Sequence, residues 1–512
     1  MLDDMLDYTA GIRQQPVWQV IPEDVRARFR QELPAQPTPL EQVHQEFMTS
    51  ILPYTARNGH PGFLGWVQGG GTLVGMLAEM LAAGLNPNLG GRDQVPLEVE
   101  RQVTAWMRAL FGFPAGATGL FVTGTSMANF LAVKVARDAR LGCQVRRKGI
   151  SQPEQKLVAY ASGAVHGSIA RALDFAGLGS DSLRLIPVDR LHRMNLKALA
   201  AAVASDSDAG LTPFLVAGTA GTVDTGAIDD LSGIADICAR EQLWFHVDGA
   251  CGALAMLAPE LAPRLKGIER ADSLAFDFHK WAQVPYDAGF ILVRDGACHQ
   301  AAFASSNAYL ARDDRGMSAG SPWPCDLGPD LSRGFRALKT WATLKVYGTK
   351  AIGGVVSHTC KLARYLESQV VATPELELMA PVELNVVCFR YRCGSSVDAS
   401  QEEFEDFLDK VNRAIVVALQ EAGAVAPSTT LIDQHLVIRA AVVNHRTTEA
   451  EIDTLIETVL DAGRALTRKT SQTKPKSEKW QQSWSRRAAK LEKIDAKAGS
   501  GEAFEKRAEV EV

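Results

Sequence analysis

Between about Pro96 and Val293 the sequence predicts an α/β fold built on one large, mainly parallel sheet with helices on both faces. Three observations predict it. Seven short apolar runs recur through this stretch: Gly119–Val122, Leu157–Tyr160, Leu183–Ile186, Phe214–Ala217, Leu243–Val247, Ser273–Phe276 and Gly289–Val293. Amphipathic stretches separate them, the pattern of strands joined by crossover helices. Two of the runs lead into a lone charged residue, Asp248 and Lys280, and ligands of such sheets bind where the strands end.

The other elements follow in order. Residues 1–75 read as a helical N-terminal segment, broken early by Pro16, Pro22, Pro34, Pro37 and Pro39 and helical in pattern over Leu40–Leu52. The loop His60–Trp66 then precedes a triple glycine, Gly69-Gly70-Gly71. A helix over Thr72–Ala83 opens the large domain, set at 76–345. Its last part, about 300–333, is rich in Ser, Asp, Gly and Pro, which predicts a mobile loop near 305–330. After a helix over Leu338–Val346 comes a smaller C-terminal α+β domain, 346–466. Its expected strands are Val386–Tyr391 and His435–Ala440; its expected helices are Val411–Glu421 and Glu451–Ala465. Residues 467–512, dense in Lys, Glu, Ser, Gln and Ala, read as a charged, disordered tail.

A chain of 512 residues is expected to hold two or three domains. A net charge of −5 argues against a nucleic-acid binder, because a polyanion needs a basic surface. The eight cysteines are scattered without a CxxC, so no metal site is expected and free thiols in a reducing cytoplasm fit best. The acidic start Met1-Leu2-Asp3-Asp4 lacks the features of a signal peptide, and no apolar span is long enough for a membrane helix.

The chemistry-bearing residues fall at the strand ends. Phe276-Asp277-Phe278-His279-Lys280-Trp281 puts a lysine after one apolar strand, and His246-Val247-Asp248-Gly249-Ala250 puts an acid at the end of another. An isolated buried charge is costly unless it is paired. Pyridoxal phosphate supplies both partners, an aldehyde that condenses with a lysine and a ring nitrogen that pairs with a carboxylate. Lys280 is therefore the candidate Schiff-base lysine and Asp248 the candidate partner of the ring nitrogen. They lie 32 residues apart, room for one crossover. Either alone has a plainer reading, a surface lysine or a helix-capping acid; the pair is far more specific. Ala250 falls where only a small side chain fits under a ring.

His166, after the Leu157–Tyr160 run, can stack on a ring or move a proton, although a lone histidine is more often a satisfied polar group. Phe121–Asn129 reads as a strand, a glycine turn and a helix start. Helix-start amides with the Thr125 and Ser126 hydroxyls make a phosphate cup; taken alone, an ordinary N-cap explains the same residues. Thr222, in the turn after Phe214–Ala217, can pack or hydrogen-bond at the ring.

In this order, Gly124–Asn129, His166, Gly221-Thr222, His246–Ala250 and His279-Lys280-Trp281 resemble the group II pyridoxal-phosphate amino-acid decarboxylases. That family includes the aromatic-L-amino-acid, glutamate and cysteine-sulfinate decarboxylases. The resemblance runs from about Asp7 to Arg464, and Pro329–Arg333 with Phe335–Trp341 matches the segment after the family's mobile loop. It implies the pyridoxal-phosphate fold type I (aspartate aminotransferase-like) and a homodimer with a shared active site, the N-terminal segment wrapping the partner. It also implies that His60–Trp66 lines the substrate pocket, with Phe63 and Trp66 as contacts. His166 would stack on the ring, Asp248 pair with its nitrogen and Lys280 bind its aldehyde. Thr125 and Ser126 would hold the phosphate, with His279 beside it.

Two departures stand out. Asp277 is followed by Phe278 where a proline is frequent, and a carboxylate at 277 touches a phosphate only with a proton or a cationic neighbour. The stretch Gly316–Asp326 also lacks the loop tyrosine with which many members return a proton to the substrate carbon; Tyr309 lies earlier.

The activity expected is decarboxylation of an L-amino acid to its amine and CO2. An aromatic or other apolar side chain is favoured, because no arginine in residues 60–66 suits a second carboxylate. The missing tyrosine leaves an oxidative aldehyde synthase open. Another fold type I lyase or aminotransferase, or a non-catalytic dimer, are further alternatives.

Overall fold

The computed structural model describes residues 1–142, 144–150, 156–305, 308–393 and 400–469. Backbone contacts divide the chain into two units. Residues 67–363 with 380–386 form the larger; residues 1–66, 364–379 and 387 onward form the smaller.

The larger unit is built on seven strands: β1 (Thr118–Val122), β2 (Leu157–Ser162), β3 (Leu183–Ile186), β4 (Thr212–Thr219), β5 (Trp244–Asp248), β6 (Ser273–Asp277) and β7 (Gly289–Val293). They lie in the order β1-β7-β6-β5-β4-β2-β3. β7 runs antiparallel to both neighbours, and the other adjacent pairs are parallel. Six strands therefore end at one edge of the sheet, where β7 begins. Each expected strand is present. Several run further than expected, to Ser162, Thr219, Asp248 and Asp277, because a polar residue still pairs in the ladder after the apolar pattern has stopped.

β5 and β6 are buried almost throughout, which explains their unbroken apolar sequences. The helix Thr125–Leu141 lies against the sheet. Ala128, Leu131 and Val135 pack with residues of β1, β6 and β7, and Val133 and Ala136 pack with β2 and β4. Beneath this edge, Phe111, Phe121, Phe276, Phe278 and Phe290 form a ring cluster with neighbouring centroids 4.9 to 5.6 Å apart. Burying each such ring contributes on the order of 2 kcal/mol.

From 304 to 335 the described residues hold only two short 3₁₀ turns, Ala308–Leu310 and Pro324–Asp326. Residues 306–307, within the expected loop, lie outside the described residues. The segment is anchored at Trp323, which is buried and carries Arg312 on its ring at 3.5 Å and Arg92 at 4.9 Å. The helix that follows, Arg336–Ala372, is much longer than expected and is interrupted at Gly348, where φ is 74°.

The smaller unit has a five-stranded sheet in the order Phe63–Leu64, Ala426–Ile432, His435–Ala441, Val386–Tyr391, Leu376–Leu378. Phe63–Leu64 pairs parallel with Ala426–Pro427. Helices Gln401–Ala422 and Glu449–Lys469 accompany it, the first started by a capping box of Ser400 and Glu403. Leu40–Glu46 is helical as expected and passes through a π turn, Phe47–Ile51, into a 3₁₀ turn containing Pro53. The expected tail begins within the last helix, which reaches Lys469; residues 470–512 lie outside the described residues. Among the described residues no helix is long and apolar enough to cross a membrane.

Candidate active site

The strand ends bring most of the expected residues of the larger unit together. Asp248, the last residue of β5, is 3% exposed. Its Oδ2 accepts a hydrogen bond from Asn129 Nδ2 at 2.9 Å, and its Oδ1 accepts from the Ala250 N–H at 3.1 Å. Asn129 lies one helical turn beyond Thr125, on the helix that β1 feeds. Its Nδ2 also donates to Ser168 Oγ at 2.9 Å, and Ser168 Oγ lies 2.8 Å from His166 Nδ1. His166 itself is exposed, between β2 and the helix Ser168–Phe175. One chain of hydrogen bonds thus joins the acid of β5 to the histidine after β2.

A second branch runs inward. His246, wholly buried on β5, places Nε2 2.9 Å from Asn129 Oδ1 and Nδ1 2.9 Å from Ser273 Oγ. Trp244 Nε1 donates to the same Ser273 oxygen at 2.8 Å. Burial pushes the His246 imidazole down to about 4, against the opposing pull of Asp248. The folded value lies below the unfolded one, so the unfolded chain binds the extra proton first. Stability from this residue is complete above about pH 6.5 and is lost as pH falls toward 4, by up to ~3 kcal/mol. Denaturant melts of wild type and His246→Gln between pH 7 and 4 check this: the wild-type curve falls more steeply, and parallel curves would refute it.

Lys280 follows β6 by three residues. Its Nζ lies 3.2 Å from Asp277 Oδ2 and 3.9 Å from Cys251 Sγ. Burial alone would lower its affinity for a proton; Cys251, Asp277 and Asp248 outweigh that and raise it. Asp277 accepts the Thr125 N–H at 2.8 Å through Oδ1, and its Oδ2 lies 3.7 Å from His279 Nε2. The acid at 277 thus has cationic company and an amide at a helix start. His279 Nδ1 accepts the Ala288 N–H at 3.1 Å, and its ring lies 4.2 Å from that of Tyr286. Burial lowers the His279 value, partly offset by Asp277.

Thr125 Oγ1 is buried and has no hydrogen-bond partner among the described residues. Close beside it, a side chain at Gly289 would meet the Gly124 backbone at 2.3 Å, so the turn and the start of β7 touch as bare backbone. Ser126 is exposed in the first helical turn. The triple glycine also finds its reason here: a Cβ at Gly69 would lie 2.3 Å from the Lys280 carbonyl oxygen.

Thr222 does not project a free hydroxyl. Its Oγ1 lies 2.9 Å from Thr225 Oγ1 and accepts from the Ala227 N–H. Its turn packs on the acid's segment, since Gly221, at φ 88°, approaches Gly252 backbone against backbone. Phe63 and Trp66 belong to the smaller unit, with ring centroids 6.2 Å apart; Phe63 is buried and Trp66 is 58% exposed. Asn129, Ser168 and His246 were given no separate role in the sequence reading. The signal for Asn129 was an amide among Ala128, Leu131 and Ala132, on the buried face of the helix.

A basic amine and a buried carboxylate at one edge of an α/β sheet, beside a helix start with an unpartnered hydroxyl, are the apparatus of a pyridoxal-phosphate enzyme of fold type I. The family model described as the pyridoxal-dependent decarboxylase conserved domain matches residues 22–392, and the chain belongs to that family. It is a carboxy-lyase that uses pyridoxal phosphate. Aromatic-L-amino-acid decarboxylase of Bacillus atrophaeus is 32% identical over 454 residues, 88% of this chain and 91% of that protein. Phenylacetaldehyde synthase of Petunia hybrida is 29% identical over 456 residues, 86% of this chain and 88% of that one. The crystal structure of mouse CSAD superposes with a TM-score of 0.82 at 26% identity, covering 90% of this chain and 98% of the other.

Proposed function

We propose that this carboxy-lyase decarboxylates an L-amino acid with an aromatic or other apolar side chain, releasing the amine. The observation that carries the reading is the single hydrogen-bonded assembly of Asp248, Asn129 and His166 beside the Lys280–Asp277 pair. The residues fit pyridoxal phosphate: the unpartnered Thr125 hydroxyl at a helix start is an open donor for a phosphate. In this reading Thr125 and Ser126 hold the phosphate with His279 beside it, and Asp277 keeps the Thr125 amide and Lys280 in place. Asp248 pairs with the ring nitrogen, Lys280 with the aldehyde, and His166 lies on the ring. Ala250 and Thr222 line it, Ala250 because it is small.

When bound, the cofactor supplies an electron sink for the bond held perpendicular to its ring. The chain's own residues do the rest. Lys280 anchors the cofactor and takes back its place at the end of turnover. Asp248 keeps negative charge where the ring nitrogen's proton must stay. His166, exposed to the substrate side, holds or moves a proton. Phe63 and Trp66 favour an apolar substrate side chain, a preference supported by the Bacillus relative's name. We take the working form to be a cytoplasmic homodimer, which light scattering checks.

A second reading is favoured by one observation: residues 316–326 contain no tyrosine to return a proton. Oxygen would then capture the electron-rich carbon and give an aldehyde, ammonia and peroxide, as the Petunia relative's name suggests for that protein. A panel of amino acids assayed together for CO2, amine and peroxide tests both. CO2 with equimolar amine supports the decarboxylase, and peroxide in step with CO2 supports the synthase. No CO2 from any amino acid rejects both.

A further inference from the structure

Asn129 is an amide with every polar atom committed. A carboxylate only accepts, so the side of Asn129 that faces Asp248 is its NH2 group. Its two N–H bonds go to Asp248 Oδ2 and Ser168 Oγ, each at 2.9 Å, which leaves Oδ1 facing His246 Nε2 at 2.9 Å. That oxygen only accepts, so His246 Nε2 carries the proton. Buried and neutral, His246 has one N–H, and it is spent on Asn129. Its bare Nδ1 therefore accepts from the Ser273 hydroxyl, which in turn accepts from Trp244 Nε1.

The outward branch is equally directional. Ser168 Oγ accepts from Asn129, so its own proton is free for His166 Nδ1 at 2.8 Å. The Ser168 backbone N–H also points at His166 Nδ1, at 3.2 Å. A backbone N–H only donates, so Nδ1 carries no proton and a neutral His166 carries its proton on Nε2.

We propose that Asn129 is a positioning residue: it orients the Asp248 carboxylate, holds His166 through the Ser168 hydroxyl, and fixes His246 as the Nε2–H tautomer, while the Ser168 backbone N–H sets the same tautomer at His166. The chain runs from the partly buried Trp244 to the exposed ring of His166 with each donor and acceptor assigned. This rests on the function proposed above only in its use, since it places a proton-bearing nitrogen of His166 away from Nδ1 and toward the substrate side.

The test is nitrogen-15 NMR of full-length protein labelled at histidine, recorded with and without pyridoxal phosphate, with His166→Gln and His246→Gln used to assign the two rings. Wild type is expected to show a bare Nδ1 and a protonated Nε2 at both. In Asn129→Ala the His246 Nε2–H exchanges rapidly with water, and the His166 signals shift as Ser168 Oγ loses its donor while Nδ1 stays bare against the Ser168 N–H. Its affinity for pyridoxal phosphate, titrated by fluorescence, falls about tenfold, the effect of removing a hydrogen bond to a charged group. Ser168→Ala, which removes one hydroxyl, shifts the His166 signals and leaves those of His246 in place. A proton on His166 Nδ1 in wild type overturns the proposal, as does an Asn129→Ala protein with wild-type spectra and affinity. If that variant does not fold, an unshifted His166 in Ser168→Ala overturns it. The spectra of the cofactor-free protein decide the tautomers independently of whether any amino acid is decarboxylated.

Discussion

Replacing Lys280 with alanine is expected to remove the visible absorption of the protein–cofactor linkage and to lower turnover by at least ~10³-fold, within the range for a removed acid–base group and with the covalent anchor lost as well. The geometry makes the expectation specific. In the larger unit Lys280 has its Nζ against Asp277, and the surrounding charges raise its proton affinity. The amine is therefore protonated near neutral pH and must shed that proton to attack an aldehyde, so cofactor capture by the wild type speeds up as pH rises. Stopped-flow absorption after mixing cofactor-free protein with pyridoxal phosphate measures both. A Lys280→Ala protein that still turned yellow would remove the foundation of the assignment.

The second large effect concerns stability. Arg333 and Glu100 form a buried pair, with side chains 2% and 5% exposed. Arg333 Nη2 donates to Glu100 Oε1 at 2.7 Å and to the Phe121 carbonyl at 2.8 Å, and its Nη1 donates to the Leu89 carbonyl at 2.9 Å. Glu100 Oε1 also accepts the Phe121 N–H. Removing either partner leaves an unpaired buried charge, which costs about 3–5 kcal/mol. Arg333→Ala and Glu100→Ala are each expected to lose that much in denaturant melts. Replacing both with apolar residues of similar size recovers a large part, because no charge is then stranded. Since Phe121 precedes the Gly124 turn by three residues, either single variant also weakens cofactor binding. A single variant as stable as wild type would show that the pair does not hold β1.

The sheet and its two key charges were legible for one reason. Central strands buried on both faces need unbroken apolar sequence, so Leu274, Phe276 and Val247 announce them, and a charge at the end of such a run stands out. The small Ala426–Ile432 strand was not legible, because Ala-Pro-Ser-Thr-Thr gives no apolar alternation. Asn129 was visible as an oddity on an apolar helix face, but its partner Asp248 lies 119 residues away. Arg333 meets Glu100 across 233 residues. Such pairings follow from how strands are ordered in the sheet, which local pattern does not encode. At Thr222 the structure adds what the sequence does not show: its hydroxyl is used within its own turn, which leaves packing as its way of meeting a ring.

The lysine loop is tied at its neck. β6 and β7 pair antiparallel up to Asp277 and Gly289, and the Phe278 N–H continues the closure to the Ala288 carbonyl. Inside it, Gln283 accepts the Gly70 N–H, Trp281 Nε1 donates to Thr359, and Lys339 Nζ donates to the Tyr286 carbonyl. The backbone around Lys280 thus has little freedom to wander. On the role proposed for Lys280, a released amine would move only by rotation of its own side chain, so its effective concentration at the point of attachment would stay high through every cycle. Resetting the enzyme then becomes a short-range, unimolecular event, with the loop entropy already spent during folding.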